Sequence, residues 1–199
     1  MQDNKPIWER GQDGGKTRPI NVNQLFNNLV EICQVLEQCN IRYWISHGTM
    51  LGLYRDGSLI PWDDDADIGL DMRDRKKMKK AVEILAAKGF FVPPEGDRTK
   101  SISNNNMPWY DTVFIRDGEK VECWWFEKEK RDGKNYFTYD RPRCGNDLSH
   151  PAKYYNTLQK FTCNGFEFSI PNHIEDWLVM MYSEDWRVPA KNRKYNNQS

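Results

Sequence analysis

The sequence predicts an α+β fold in one domain, and three patterns carry that prediction. Apolar residues recur at helical spacing over residues 23–38 and 74–88. Apolar and polar residues alternate from position 65 to 72, as in a strand with two unlike faces. Two dipeptides of hairpin type, Asp117-Gly118 and Asn164-Gly165, each separate a pair of strand-like runs. At 199 residues the chain is long enough for a substantial core. We expect a loose N-terminal arm over residues 1–20, one domain over 21–190 and a polar tail over 191–199.

In chain order, residues 23–38 form the first helix. Leu25, Phe26, Leu29, Ile32, Cys33 and Leu36 make its apolar stripe, and Asn21 or Asn23 caps it. Residues 41–46 are a short strand that runs into His47-Gly48-Thr49 and an apolar helical turn at 50–54. A strand, a glycine and a helix start form an arrangement in which backbone N–H groups can cradle a phosphate, although one Gly-Thr pair is a weak signal. Arg55 lies within reach of such an anion, or else on the surface. After a turn at 56–58 comes the acidic strand, and then a helix over 74–88 with one basic face. The helix ends at Gly89, and 90–92 is a strand candidate. Residues 93–108 form a long polar loop, of a kind that often carries function. Strands at 112–116 and 120–127 flank Asp117-Gly118, and 135–140 is another strand. Residues 142–155 read as irregular. Strands at 159–163 and 166–170 flank Asn164-Gly165. A last helix follows, with Asn172 as its cap, Glu175 completing a capping box, and Trp177, Leu178 and Met181 facing inward.

Composition narrows the function. Basic and acidic residues balance at 29 each, so no basic field argues for nucleic acid. Hydrophobic content is 38%, yet aromatics reach 13% with eight Trp, which predicts a core of few, large side chains. The five cysteines, Cys33, Cys39, Cys123, Cys144 and Cys163, have neither zinc-site nor disulfide-framework spacing. Cys33 and Cys123 read as buried thiols, and a Cys144–Cys163 pair stays open. No apolar run nears 18 residues and no signal peptide is visible. The chain as given reads as soluble: cytoplasmic, or a secretory-pathway domain without its anchor.

Residues 59–72, LIPWDDDADIGLDM, are the stretch that carries chemistry. On a strand Asp63, Asp65, Asp67, Gly69 and Asp71 share one face, and Ala66, Ile68, Leu70 and Met72 the other. Clustered carboxylates repel one another, and a divalent cation removes the repulsion. Oxygen-only ligands suit Mg²⁺ or Mn²⁺ better than Zn²⁺. A solvated acidic loop is the plain alternative, but the apolar strand that follows favours a metal site. Glu122, set among Val121, Cys123, Trp124 and Trp125, needs a partner if buried, and a metal would supply one.

Residues 47–72 resemble the signature of the LicD/fukutin family of nucleotidyltransferase-fold phosphotransferases. The matching positions are Gly48, Thr49, Leu51, Gly52, Arg55, Pro61, Trp62, Asp63, Asp65 and Asp67. The C-terminal part agrees through Asp176-Trp177-Leu178 and Tyr182 to Trp186, with Ser183 where the family often has glycine. The resemblance implies a nucleotidyltransferase-like mixed β-sheet flanked by helices, with an added C-terminal β-hairpin and helix. It implies a metal on Asp65 and Asp67, with Asp63 as third ligand or outer partner and Glu122 as the carboxylate from a neighbouring strand. It also implies transfer of a phospho-alcohol or phospho-sugar, choline phosphate or ribitol phosphate in type, from a CDP-activated donor to a glycan hydroxyl. Gly48, Thr49, Arg55, His47, Tyr54 and Trp62 form the expected substrate-binding set, and Asp63 or Glu122 takes the acceptor proton. Trp109, Trp124 and Trp125 are further candidates for stacking, although packing explains most of the aromatics. A nucleotidyltransferase that adds NMP to a small hydroxyl compound is the alternative reaction. An inactive nucleotide- or glycan-binding module is the non-enzymatic one.

Overall fold

A computed structural model of the chain describes residues 19–92, 111–139 and 149–191. Most of the expected N-terminal arm, the 93–108 loop, Trp109, Cys144 and nearly all of the polar tail lie outside the described residues. Helix α1 (Val22–Gln38) begins where the Asn21 side chain accepts the amide of Gln24. Its buried stripe, Leu25, Leu29, Ile32, Cys33 and Leu36, packs on the sheet and on helix α3 (Met78–Ala87).

The main sheet is mixed. Strand β1 (Tyr43–Ile45) pairs antiparallel with β2 (Ala66–Asp71), and β2 pairs parallel with β4 (Glu119–Arg131). Strand β3 (Asp111–Arg116) lies antiparallel on the first half of β4. The second half of β4 carries on to β5 (Lys134–Thr138) and then β6 (Ser149–Pro151). Helix α2 (His47–Asp56) joins β1 to the turn before β2. A short helix, α4 (Lys153–Asn156), leads to the separate hairpin β7 (Leu158–Cys163) and β8 (Phe166–Pro171), and α5 (Ile174–Tyr182) closes the described fold. The hairpin turns through Asn164 at φ 47° and Gly165 at φ 80°, the paired left-handed residues that a two-residue turn requires.

Large side chains fill the core as composition predicts. Trp44, Trp125, Trp177, Tyr155, Phe114, Phe126, Phe137 and Phe168 are all buried. Trp44 lies across Gly69, its cross-strand partner, and a Cβ on Gly69 would strike the indole. The described cysteines Cys33, Cys39, Cys123 and Cys163 are free thiols. Among the described residues, no helix is long and apolar enough to cross a membrane.

Several local readings change in three dimensions. Strand β2 is buried on both faces and stops at Asp71, so Met72 opens a 3₁₀ turn, Met72–Lys77, instead of ending the strand. The expected 74–88 helix is therefore this turn followed by α3. Residues 90–92 contribute only a bridge from Phe91 to Ile115. The stretch read as irregular before 155 contains β6 and α4. The capping box at Asn172 does not form. His173 is the cap residue, at φ 50°, and Asn172 Oδ1 accepts the His173 amide instead. Glu175 is used elsewhere, accepting from Arg187 at 2.8 Å. Ser183, at φ 71° and ψ 175°, occupies backbone space that is essentially glycine's own.

Candidate active site

The parallel register of β2 and β4 builds the site. It sets Asp67 directly beside Glu122. Side chains two apart on a strand share a face, so Lys120, Glu122 and Trp124 lie in a row alongside Asp65 and Asp67. One carboxylate oxygen from each of Asp65, Asp67 and Glu122 lies within 4.8 Å of the other two. Asp63, Asp64 and Asp65 form a second such group that shares Asp65 with the first. Asp71, two turns of the pleat further on, is not part of this cluster. It pairs with Arg73 at 2.6 Å and Arg42 at 3.4 Å. Burial alone would raise its pKa, but the bonds from Arg73 outweigh burial and lower it.

Each member of the cluster is held by a specific partner. Trp124 Nε1 donates to Asp67 Oδ1 at 2.9 Å. The Asp67 amide donates to Thr49 Oγ1 at 2.7 Å, and its carbonyl accepts the Ser46 amide at 3.1 Å. The backbone of Asp67 is thus clamped to the start of α2. Burial is the largest cause that pushes the Asp67 carboxyl well above the usual range, followed by the charges of Asp65, Glu122 and Asp63. Asp63 is pushed up to about 7, by burial first and then by Asp65. Its carboxylate reaches across the first turn of α2, where a Cβ on Gly48 would lie 2.5 Å from Asp63 Oδ2. Glycine at 48 therefore makes room for the acid.

Lys120 was not in the sequence-derived set. Its Nζ lies 2.6 Å from Asp65 Oδ2 and 2.6 Å from Glu122 Oε1, with only 4% of the side chain exposed. Burial opposes its charge, but Asp65 and Glu122 outweigh burial and hold its pKa above the ordinary lysine value. Its signal in the sequence was the alternation Lys120, Glu122, Trp124 against the buried Val121, Cys123 and Trp125. That pattern places all three polar-ended side chains on one face.

The first-turn amides of α2 have no carbonyl four residues back within the helix, so His47, Gly48 and Thr49 present the usual anion-facing end. The His47 ring itself turns into an aromatic cluster, with Nε2 2.7 Å from Tyr139 Oη and burial pulling its pKa down to about 4. Tyr54 and Arg55 lie at the other end of α2, about 7.5 and about 9 Å along the axis from Thr49. Arg55 forks onto Asp56 and reaches the Trp186 carbonyl at 3.3 Å. Tyr54 packs between Phe161 and Trp186. Trp62 is 45% exposed in the turn just before Asp63. Trp125 is buried with its indole on Thr112, so it is a core residue and not a stacking platform.

The cluster's chemistry suits a hard divalent cation. Three carboxylates and one ammonium leave a formal charge of minus two, and every donor atom is oxygen. Asp65, Asp67 and Glu122 could hold such an ion. Asp63, outside that triad but next to it, could accept a proton.

Comparison with known proteins identifies relatives of the chain. Residues 40–173 match the family model described as LicD/FKTN/FKRP, nucleotidyltransferase domain. The chain is 24% identical over 184 residues to the mouse ribitol 5-phosphate transferase FKRP, covering 85% of this chain and 33% of that protein. It is 25% identical over 166 residues to the mouse ribitol-5-phosphate transferase FKTN, covering 79% and 32%. It is 42% identical over 144 residues to an uncharacterized protein of Rickettsia typhi, covering 72% and 40%. The chain thus spans about a third of the length of the two transferases. A solution structure of the antibiotic-resistance factor ANT(2'')-Ia superposes with a TM-score of 0.46 at 17% identity, covering 85% of this chain and 78% of that one.

Proposed function

The chain belongs to the LicD/FKTN/FKRP nucleotidyltransferase-domain family, and from that premise we propose that it is a metal-dependent phosphotransferase. It moves a phospho-alcohol or phospho-sugar, of the choline phosphate or ribitol phosphate type, from a CDP-activated donor to a glycan hydroxyl. The observation that carries this reading is the convergence of Asp65, Asp67 and Glu122 beside the first turn of α2. The ribitol-phosphate activity of the two named relatives supports the substrate class.

In this reading Asp65, Asp67 and Glu122 hold Mg²⁺ or Mn²⁺, which neutralises charge on the donor's pyrophosphate. The amides of Gly48 and Thr49 bind phosphate oxygens at the helix start. Asp63, held over Gly48, accepts the proton of the acceptor hydroxyl as that oxygen attacks phosphorus. The bond from that phosphorus to the CMP oxygen breaks, and CMP departs with the bonding electron pair. Trp62 offers an exposed ring to the base or to the acceptor sugar.

The test is a donor panel of CDP-alcohols and nucleotide sugars with Mg²⁺ and glycan acceptors, scored by released nucleotide monophosphate. CMP release from one donor, lost in Asp65→Ala and Asp67→Ala, is the expected result. Pyrophosphate release from CTP or ATP with a small hydroxyl acceptor would replace the proposal with nucleotidyl transfer. Nucleotide binding with no turnover of any donor would replace it with a binding module.

A further inference from the structure

Lys120 has a role that the proposed chemistry does not use. Its ammonium sits on two of the three carboxylates that form the cation site, at 2.6 Å from each, and is almost wholly removed from solvent. Lys120 and Glu122 are two residues apart on β4 and share a face, so the strand itself fixes the bridge. Strand β2 fixes the other end, because Asp65 precedes it directly and Asp67 is clamped to Ser46 and Thr49. The third carboxylate, Asp67, takes a neutral donor, the Trp124 indole. The cluster therefore pairs one full positive charge with Asp65 and Glu122 and a hydrogen bond with Asp67.

We infer that Lys120 is a resident counter-cation of the site, and that a divalent ion enters by displacing its ammonium from Asp65 and Glu122. This rests on the reading that Asp65, Asp67 and Glu122 hold metal. An ion within coordination distance of these oxygens and an ammonium at hydrogen-bond distance from the same oxygens are like charges only a few ångströms apart in a partly buried site, and they repel strongly. Exchange keeps the carboxylates compensated at every stage. It also sets the metal affinity below what the bare carboxylates would give. A purely structural salt bridge predicts the opposite sign: its loss would let the carboxylates spread and would weaken metal binding.

The experiment measures Mn²⁺ affinity by titration calorimetry and by the electron-spin signal of free Mn²⁺, on the full chain. The variants are wild type, Lys120→Met, Lys120→Arg and Asp67→Asn, with thermal melts in EDTA alongside. Lys120→Met is expected to bind Mn²⁺ about tenfold more tightly or better, since one nearby positive charge is gone. Lys120→Arg, which keeps the charge although in a different donor geometry, is expected to bind Mn²⁺ less tightly than Lys120→Met. In EDTA Lys120→Met melts below wild type, and Mn²⁺ raises its midpoint by more than it raises that of wild type. If Lys120→Met does not fold, Lys120→Gln, neutral but able to donate to a carboxylate, carries the same comparison. Equal or weaker Mn²⁺ binding by the neutral variant, with wild type binding and Asp67→Asn not, overturns the exchange and leaves the metal reading intact. Absence of Mn²⁺ binding by wild type overturns the metal reading and the exchange with it.

Discussion

His150 should make the stability of this protein fall in acid, and the size of the effect follows from its surroundings. It lies on β6 among Phe126, Tyr139, Tyr155 and Trp177, with no measurable exposure. Its Nδ1 is 2.5 Å from the Tyr155 hydroxyl, which also accepts the Trp177 indole N–H at 2.7 Å. Nδ1 and the hydroxyl share one hydrogen bond, and burial keeps the ring neutral. Burial, then the proximity of His47, pulls its pKa from 6.5 to about 3. A lowered base contributes stability that is complete above its unfolded pKa of 6.5 and is lost as pH falls toward 3. At pH 4.5 the unfolded chain gains about two pH units of protonation free energy that the native state does not, or about 3 kcal/mol. His47, lowered to about 4, acts in the same direction. Asp63 and Asp67, raised by burial and mutual repulsion, act in the opposite direction and flatten the total curve. The informative quantity is thus the difference between wild type and His150→Phe, measured by urea unfolding in EDTA at several pH values. Whatever the variant costs at pH 7.5, the gap should move in its favour by about 3 kcal/mol at pH 4.5. A gap constant to within about 0.5 kcal/mol over that range, inside the spread of an ordinary neutral substitution, would refute a neutral buried His150.

Three further outcomes follow from the geometry. Gly48→Ala places a methyl group 2.5 Å from Asp63 Oδ2; turnover in the donor assay should drop at least about tenfold through loss of positioning, while the thermal midpoint changes little because a side-chain end can swing away. Asp67→Asn keeps an acceptor for Trp124 but removes a buried like charge, so in EDTA its midpoint should exceed wild type by about 2 °C or more at pH 8, roughly the shift from 1 kcal/mol. That gain should grow as pH rises, because a raised carboxyl costs stability on ionising; a midpoint at or below wild type at pH 8 would count against the repulsion. Ser183→Gly relieves backbone strain at φ 71° at the loss of the Ser183–Asp185 bond, and urea unfolding should show a gain of about 1 kcal/mol.

What the chain could declare locally, it declared. The stripe of α1, its Asn21 cap and the Asn164-Gly165 hairpin depend on neighbours within a few residues, and the structure has them where periodicity and turn chemistry put them. The carboxylates at 63, 65 and 67 were equally legible, because charge crowding before an apolar strand is visible without a fold. Local rules failed where distant groups compete for the same atoms. Asn172 and Glu175 spell a capping box, yet His173 takes the cap and Arg187 takes the glutamate. Asp71 alternates correctly with Asp67, yet Arg42 and Arg73 claim it. Tyr54 and Arg55 follow the glycine signal in sequence, but a helix carries them to its far end. The residues at the centre of the candidate site were legible, but the strand pairing that brings them together was not. Glu122 meets Asp67 only because β4 pairs in parallel with β2 in this register, and a register one residue away would have turned Glu122, Lys120 and Trp124 to the opposite face. The acidic sequence by itself determined that a cluster of negative charge had to be compensated. Only the tertiary pairing of two strands more than fifty residues apart decided that a lysine from β4 would supply part of that compensation, because register is chosen by burial on both faces of the sheet and not by the residues that happen to meet there.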